Sequence, residues 1–489
     1  MTSTTAASSR ERGHGRFLFG QPRWFTTIFV VDMWERFSFY GMLAILYLYL
    51  VASPADGGFG MDPTTAAAVF GIYMSMVFVT ALPGGWIADR VWGPRRSLLF
   101  GGVLIALGHI SLATPVQGSL FLGLVLIAIG TGLVKPSIAA IVSSAHPGQN
   151  EKREAAFSVF YMSTQISALL APIVTGYLGE NVNWHLGFGV AAAGMIVALV
   201  HYGLGYKQFE AIAAAPRPAS RAELRVVARR TGIVIGAVAA VFAVDVLSGA
   251  FTPRHVLMAI GLTTIVVPVL YFRYLKRQPS LTTGDRRRVS AFLWLLLASA
   301  LFWMLYAQSG SVLSGFAKDS TDRQVAAFEV PASWFQSAHP LYILLLAPVF
   351  AWLWVRMGRR VGVPAKFSGA LLFGGAAFVL IAVAAVQAAD GLVSPLWLLA
   401  AYLLQVCGEL ALAPVGLSMA AQVAPRGFTN QMLGLFWLFA ALGVGVGGQL
   451  AGLLAVLPQP LYFGSLGLVA VVAGVLLGFS AKRLFRRLL

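Results

Sequence analysis

The chain has 489 residues, of which 58% are hydrophobic and 11% charged, and a formal net charge of +17. Soluble domains carry about 25% charged residues, and here the apolar residues gather in runs of about 20 or more, the length that crosses ~30 Å of hydrocarbon; a soluble globular protein is excluded. The single cysteine, Cys407, excludes an intrachain disulfide and a cysteine-held metal cluster.

In chain order, residues 1–23 carry charge but no short apolar core with a cleavage site, and are expected to form a cytoplasmic tail rather than a signal peptide. Fourteen spans are expected at 24–51, 65–88, 98–116, 119–144, 155–178, 185–206, 230–250, 254–275, 290–316, 334–356, 367–389, 393–423, 429–456 and 460–481. If these alternate across the membrane, 30 of the 35 Lys and Arg residues fall on one side, and only Arg254, Lys318 and Arg323 on the other. The positive-inside rule then places both termini in the cytoplasm, and the basic charge becomes a topology signal rather than a sign of nucleic acid. The long basic segments around 207–230 and 273–290 flank the seventh and eighth spans, which lack internal charge apart from Asp245. The rest divides into two sets of six: an N-terminal bundle at 24–208, a linker with two extra helices at 209–285, and a C-terminal bundle with a short tail at 286–489. The loop "GGWIADRVWGPRRS" resembles the cytoplasmic signature of the major facilitator superfamily, and "VRMGRRVGVPAK" is its weaker echo in the second half. In that fold two six-helix bundles rock about a midplane site.

Two residues of the basic set lie inside spans, Arg36 and Lys135. In "DMWERFSFYG", Asp32, Glu35, Arg36 and Tyr40 are spaced i, i+3, i+4, i+8, which at ~100° per residue places them within an arc of about 140°. A polar stripe of this kind faces a protein interior or a water-filled cavity. It is either a structural ion-pair cluster or a proton and substrate site; an acid–acid–base trio, with two carboxylates competing for one arginine, suits proton work. Lys135, followed by Pro136, lies mid-span in "GTGLVKPSIAAI", and Glu409 lies mid-span in "QVCGELALAPVG". A lysine in one half and a glutamate in the other suggest an inter-bundle gate pair. His339 in "WFQSAHPLY" is a candidate for titration between pH 5 and 8, or a hydrogen-bonded interfacial histidine. "GVGVGG", Gly443–Gly448, matches a dinucleotide-loop spacing but sits inside an apolar span; Gly443 and Gly447 are a close-packing helix face instead. No H-E-x-x-H or G-x-S-x-G occurs, so an intramembrane hydrolase has no support and the chain is not expected to be an enzyme.

"DMWERFSFYG" resembles the E-x-x-E-R-F-x-Y-Y-G signature of the proton-dependent oligopeptide transporter (POT, or PTR2) family, and "GGWIADR", "GTGLVKP", "FSVFYM", "WHLGFG", "PASWFQSAHP", "GELALAPVGLS" and "QVAPRG" agree in register. The resemblance covers nearly the whole chain. It implies an all-α major facilitator fold with two extra helices between the halves, as in bacterial members. It also implies proton-coupled symport of small peptides, with protons as the coupling ion and no other cofactor. By the same resemblance Asp32, Glu35 and Arg36 belong to the proton-coupling cluster. Tyr40 lines the peptide pocket, Lys135 takes the peptide carboxylate, and Glu409 takes the amino group. Trp334, Phe335 and Trp437 are candidate pocket aromatics. A monomer in a lipid bilayer is expected.

This sequence departs from the family pattern in seven places, the first being Asp32 in place of the signature's first glutamate. Leu43 stands where the family often has an arginine, and Ala307, in "FWMLYAQSGS", where it usually has a glutamate that pairs with that arginine. Losing one partner strands a buried charge at roughly 3–5 kcal/mol, whereas losing both can be nearly neutral. Phe39 and Phe78 replace two pocket tyrosines, and Gln165 and His339 stand where asparagines are typical. A more apolar pocket is expected, with proton binding at Asp32, Glu35 or His339. Two cargoes remain open: di- or tripeptides and peptide-like compounds, or a non-peptide solute, such as a natural product or organic anion, with weak or altered proton coupling. A receptor that binds peptide without turnover is a third reading.

Overall fold

In hydrocarbon every backbone N–H and C=O must find its partner within the segment, so uninterrupted apolar runs become helices. The computed structural model describes residues 23–116, 118–144, 150–210, 218–358 and 361–488; the expected N-terminal tail, but for Arg23, lies outside the described residues. The long helices are α1 (Arg23–Val51), α2 (Pro63–Val79), a short α3 (Ala81–Ile87), α4 (Gly93–Ala113), α5 (Ser119–Ser144), α6 (Asn150–Asn181) and α7 (Trp184–Gly205) in the first half. Between the halves lie α8 (Arg221–Leu247) and α9 (Pro253–Lys276). The second half holds α10 (Thr283–Tyr306), a short α11 (Val312–Asp319), α12 (Ala338–Met357), α13 (Val363–Gln387), α14 (Leu396–Val423), α15 (Thr429–Leu450) and α16 (Gln459–Leu488). The only strands among the described residues are a two-residue pair, Gln324–Val325 with Phe328–Glu329.

Twelve runs among the described residues are long and apolar enough to cross a membrane. One of them, Pro63–Ala113, is 51 residues long, about 75 Å of helix at 1.5 Å per residue, or two crossings. Its interior is almost unbroken helix: where the sequence predicts a loop there is a π-turn, Ala88–Trp92, and then Gly93 with φ 78° and ψ 156°, a backbone that suits glycine. α1 is long enough as well, and its charges alone set it apart from the apolar runs. The arrangement is consistent with the fourteen expected spans.

The ninth expected span, 290–316, is not one helix. It breaks into a 3-10 segment at Ala307–Gly310 before α11. The physical reason is local: Gln308, Ser309, Gly310 and Ser311 follow one another, Gln308 donates back to Met304 O and accepts from Tyr462 Oη at 2.7 Å, and a Cβ on Gly310 would lie 2.4 Å from Phe70 Cζ. The tenth expected span likewise opens with a 3-10 segment, Ala332–Ser337, ahead of α12.

In the first half α1 packs on α6 and α7, and α4 on α5 and α7; in the second α13 packs on α14 and α16, and α10 on α15. The halves meet chiefly along α2 and α15, with α9 laid against both. None of the residues of α8 is buried; its first turn is tied to the loop before α4 by Arg90, whose guanidinium reaches both oxygens of Glu223 at 2.8 and 2.9 Å. The small residues of the glycine-rich run explain the close approach of α15 to α10 within the second half and to α2 across the halves. A Cβ on Gly443 would lie 2.0 Å from Ala300 O and one on Gly447 2.5 Å from Met304 O, so this face packs directly on the α10 backbone. Gly448 turns the other way, and a Cβ there would lie 2.8 Å from Gly71 Cα on α2.

Because a Cβ on Gly71 would lie 2.6 Å from Gly448 Cα, Gly71→Val is expected to force α2 and α15 apart, at the roughly 1–3 kcal/mol typical of overpacking. The thermal midpoint of the detergent-solubilised protein, followed by its loss of monodispersity on heating, checks this: it should fall by several degrees, and an unchanged midpoint would mean that the crossing is not tight.

Candidate functional site

Where the two halves face each other they leave a cavity of about 170 Å³. Its walls come from α1 (Tyr40, Leu43), α2 (Phe70, Met74, Phe78) and α6 (Gln165) on one side. The other side is built by α10 (Trp303, Tyr306), the Ala307–Gly310 break, α12 (His339) and α14 (Glu409). Of the residues singled out in the sequence, Tyr40, Phe78, Gln165, His339 and Glu409 line this one space, and Lys135, Trp437, Asp32, Glu35 and Arg36 do not. Leu43 and Ala307 line the same cavity, so the two positions at which a charged pair is expected do face a common space, and here both are apolar.

One helical step from that space, α1 carries its charges. Arg36 Nε lies 3.2 Å from Glu35 Oε2 and 3.5 Å from Asp32 Oδ1. Asp32 also accepts from Ser163 Oγ at 3.1 Å, across to α6. Glu35 is fully buried and neither of its carboxylate oxygens accepts a hydrogen bond; the guanidinium is its partner. One arginine thus serves two buried carboxylates. The fourth charge is Lys135 on α5, close enough to feel all three electrostatically. Its ammonium sits over two rings, 4.9 Å from the centroid of Phe39 and 5.3 Å from that of Phe78. With Lys135 counted, the formal charges of the cluster sum to zero.

On the opposite wall Glu409 lies against the Tyr306 hydroxyl, and its Oε2 is buried without a hydrogen bond. Among the described residues no ion pair joins Lys135 to Glu409. The suggested gate pair is thus open in this conformation, because α5 and α14, which carry the two residues, do not pack against each other. Trp437 stacks on Phe78, 5.7 Å between centroids and 10° between planes, bridging α15 to α2 beside Lys135. His339 is held more tightly than its position in the sequence suggests. Its Nε2 is 3.0 Å from Gln405 Oε1, which also accepts from Ser309 Oγ at 2.7 Å, and its ring lies 4.4 Å from that of Tyr402.

Trp334 and Phe335 are not on the cavity wall. They belong to the Ala332–Ser337 segment, which closes the end of the molecule distal to both termini. Glu180, at the end of α6, accepts from the backbone N–H groups of Ala332 and Ser333 at 2.8 and 2.9 Å. Trp334 Nε1 donates to Ile173 O at 3.0 Å, Ser337 Oγ to Leu169 O at 2.8 Å and Gln336 Nε2 to Ala44 O at 3.3 Å. All of these bonds cross between the halves, so the distal end is sealed while Lys135 and Glu409 stand apart.

Tyr306, Gln405 and Glu180 were not singled out in the sequence. Gln405 has a visible signal, four residues before Glu409 and thus on the same helix face; Tyr306 directly precedes Ala307. Glu180 looks like any acid at the end of a span.

Residues 95–465 match the POT family. A di-/tripeptide transporter of Lactococcus lactis subsp. cremoris is 32% identical over 96% of this chain and 97% of its own length. The peptide transporter YePEPT of Yersinia enterocolitica is 36% identical over 90% of this chain and 89% of its own. The chain belongs to the POT family. A crystal structure of a POT peptide transporter in complex with sulfate superposes with a TM-score of 0.92 at 39% identity, covering 96% of this chain and 97% of that one. A POT family transporter in complex with 5-aminolevulinic acid gives 0.91 at 34% identity, covering 96% and 98%. The major facilitator fold and a multi-pass membrane protein of a transporter family follow from these matches, in agreement with the sequence-based expectation.

The seal through Glu180 makes a prediction. Each charge-assisted hydrogen bond contributes about 1.5–3 kcal/mol, so Glu180→Ala is expected to raise the labelling rate of a Leu43→Cys reporter, in a Cys407→Ser background, by roughly tenfold or more with a maleimide applied from the distal side. An unchanged rate would mean that the seal stands without Glu180.

Proposed function

We propose that this chain is a proton-coupled symporter that imports di- and tripeptides or peptide-like compounds by alternating access, working as a monomer in a cell's inner membrane with both termini cytoplasmic. The reading is supported by one observation above all: a glutamate of the second half lines the cavity, and a lysine of the first half sits behind the cavity-lining Phe78 and adjoins a buried acid–acid–arginine cluster. A dipeptide is a zwitterion with a carboxylate at one end and an ammonium at the other. Lys135 takes the first, Glu409 the second, with Tyr40, Phe78, Gln165 and Trp437 around the side chains.

Charge counting supplies the coupling. With Lys135 engaged by the cluster, two acids and two bases balance. When a substrate carboxylate recruits Lys135, the cluster keeps two carboxylates for one arginine, and an uncompensated charge in a low-dielectric site is costly. A proton on Asp32 or Glu35 restores neutrality, so substrate and proton enter together. Lys135 and Glu409 then pair across the halves in the state without cargo, closing the end opposite the Glu180 seal. Protons are the only coupling ion this cycle requires, and it calls for no bond-making catalysis.

The second reading, a non-peptide solute, draws on the apolar Leu43 and Ala307 facing one cavity and on the 34% identical transporter solved with 5-aminolevulinic acid. That compound also has an amine at one end and a carboxylate at the other, so it would use the same two residues.

Lys135→Ala is expected to lower uptake of a labelled dipeptide by tenfold or more, the loss of a charged hydrogen bond of about 1.5–3 kcal/mol; full uptake would sink the carboxylate role. In proteoliposomes loaded with a pH dye and held inside-negative, a dipeptide mixture should acidify the lumen, and Asp32→Asn or Glu35→Gln should abolish that acidification while binding persists. Acidification by amino-carboxylate solutes alone would favour the second reading, and binding without flux would mark a receptor.

A further inference from the structure

A second, larger cavity lies on the outside of the C-terminal half. α10, α13 and α16 enclose about 520 Å³ there, within the ~300–1,000 Å³ range of ligand pockets. It opens sideways rather than toward the central cavity: Trp294 and Leu476 on its rim are both 61% exposed, and its floor is the buried Leu371. In a protein that crosses a membrane this opening faces lipid.

The lining has two parts. The inner part is apolar, built by Ala298, Leu301, Leu371 and Leu477. The mouth is cationic: Arg483 and Arg487 sit one turn apart on α16, with Ser480 just below. Neither arginine takes part in any ion pair among the described residues, and the lining contains no acid to compensate them. α10 runs antiparallel to α16 here and carries Arg286, Arg287 and Arg288 directly after the capping-box Asp285 of its first turn; at 1.5 Å per residue Arg287 lies about 10 Å beyond Trp294, toward the same end as Arg487. Positive charge therefore collects where the groove meets the membrane boundary, and the groove leads from it into the hydrocarbon.

We propose that this cavity binds an anionic glycerophospholipid, with its phosphate between Arg483 and Arg487 and one acyl chain along the leucines between α10 and α16. An apolar molecule alone would leave two guanidinium forks without an acceptor. A free phosphate would leave the groove unfilled. A zwitterionic headgroup brings its own ammonium to a mouth already rich in cations, whereas an anionic one complements it. Guanidinium matches phosphate in a bidentate fork, and basic pockets between transmembrane helices suit anionic headgroups. The site is independent of what the central cavity carries, although it shares α10 with it: Leu301 lines the lipid groove and Trp303, two residues on, the transport cavity.

The test uses the full-length protein, purified and delipidated in detergent, with native mass spectrometry and thermal melts as readouts. Phosphatidylglycerol should be retained and should raise the melting midpoint; phosphatidylcholine with the same acyl chains, inorganic phosphate and glycerol 3-phosphate should not. The double variant Arg483→Gln/Arg487→Gln should weaken phosphatidylglycerol binding by roughly thirtyfold, the loss expected of two interfacial arginines. Ala473→Trp, which fills the groove and leaves the arginines in place, should weaken it as well. Equal retention of phosphatidylcholine, equal stabilisation by phosphate alone, or undiminished phosphatidylglycerol binding in both variants would overturn the proposal.

Discussion

The cost of holding ionised side chains away from water organises this molecule. Five charges lie deep inside the spans of the two six-helix halves, Asp32, Glu35, Arg36, Lys135 and Glu409, and each at a helix centre costs a few kcal/mol unless it is paired or wetted. Four of the five are drawn into one group on the first half, where they balance. The fifth, Glu409, stands alone on the other half with a tyrosine hydroxyl beside it. A helix that carries such a stripe cannot turn it toward lipid, so α1 is held at the centre of its bundle, packed between α6 and α7, with its polar arc toward the cavity. The same constraint that makes the charges expensive thus fixes the orientation of the helix that carries most of them.

The second constraint is that the halves must touch without fusing. Two kinds of contact divide this task. Along α2 and α15 the approach is backbone to backbone, through Gly71 and Gly448, with no room for any side chain. Van der Waals packing of this kind suits a pivot, because it is close but has no strongly directional partner to break. At the distal end the contact is directional: Glu180 on two backbone N–H groups, Trp334 on Ile173, Ser337 on Leu169. Hydrogen bonds between an anion and fixed donors are made or lost as a unit, which suits a gate. The seal at one end and the separation of Lys135 from Glu409 near the middle are two aspects of a single rigid-body arrangement.

Most of the architecture was legible because its signals are long and redundant. Twenty-residue apolar runs need no tertiary information, and the intramembrane charges stand out against them. Legibility fails where the deciding partner is remote in sequence. The break at Ala307–Gly310 depends on Tyr462 and on Phe70 filling the space beside Gly310. Glu180 acquires meaning only when the Ala332–Ser337 segment, more than 150 residues away, presents its N–H groups. Trp334 is aromatic and near His339, which suggests a pocket lining, but its indole N–H is spent on a backbone carbonyl across the seal. Lys135 and Glu409 were placed correctly on opposite halves, yet whether they meet is a property of the conformational state, and no residue pattern encodes that.

The apolar pair Leu43 and Ala307 narrows where proton chemistry can take place. Both face the cavity, so a charged couple there would have added an acid on the C-terminal half within reach of substrate. Its absence leaves that wall with Glu409 and His339. His339 is enclosed between Tyr402 and Tyr306 and has its Nε2 committed to Gln405, which is itself shared with Ser309; this imidazole is built into the wall as a fixed group. In the proposed transport cycle Glu409 is the partner for a substrate ammonium. The acids left free of a cargo role are Asp32 and Glu35, which already share one arginine and sit beside the lysine that a substrate carboxylate would recruit. In the proposed cycle the absence of the second charged couple therefore concentrates proton binding and carboxylate binding in one cluster on α1 and α5, where a change in either is felt by the other through a few ångströms of low-dielectric protein.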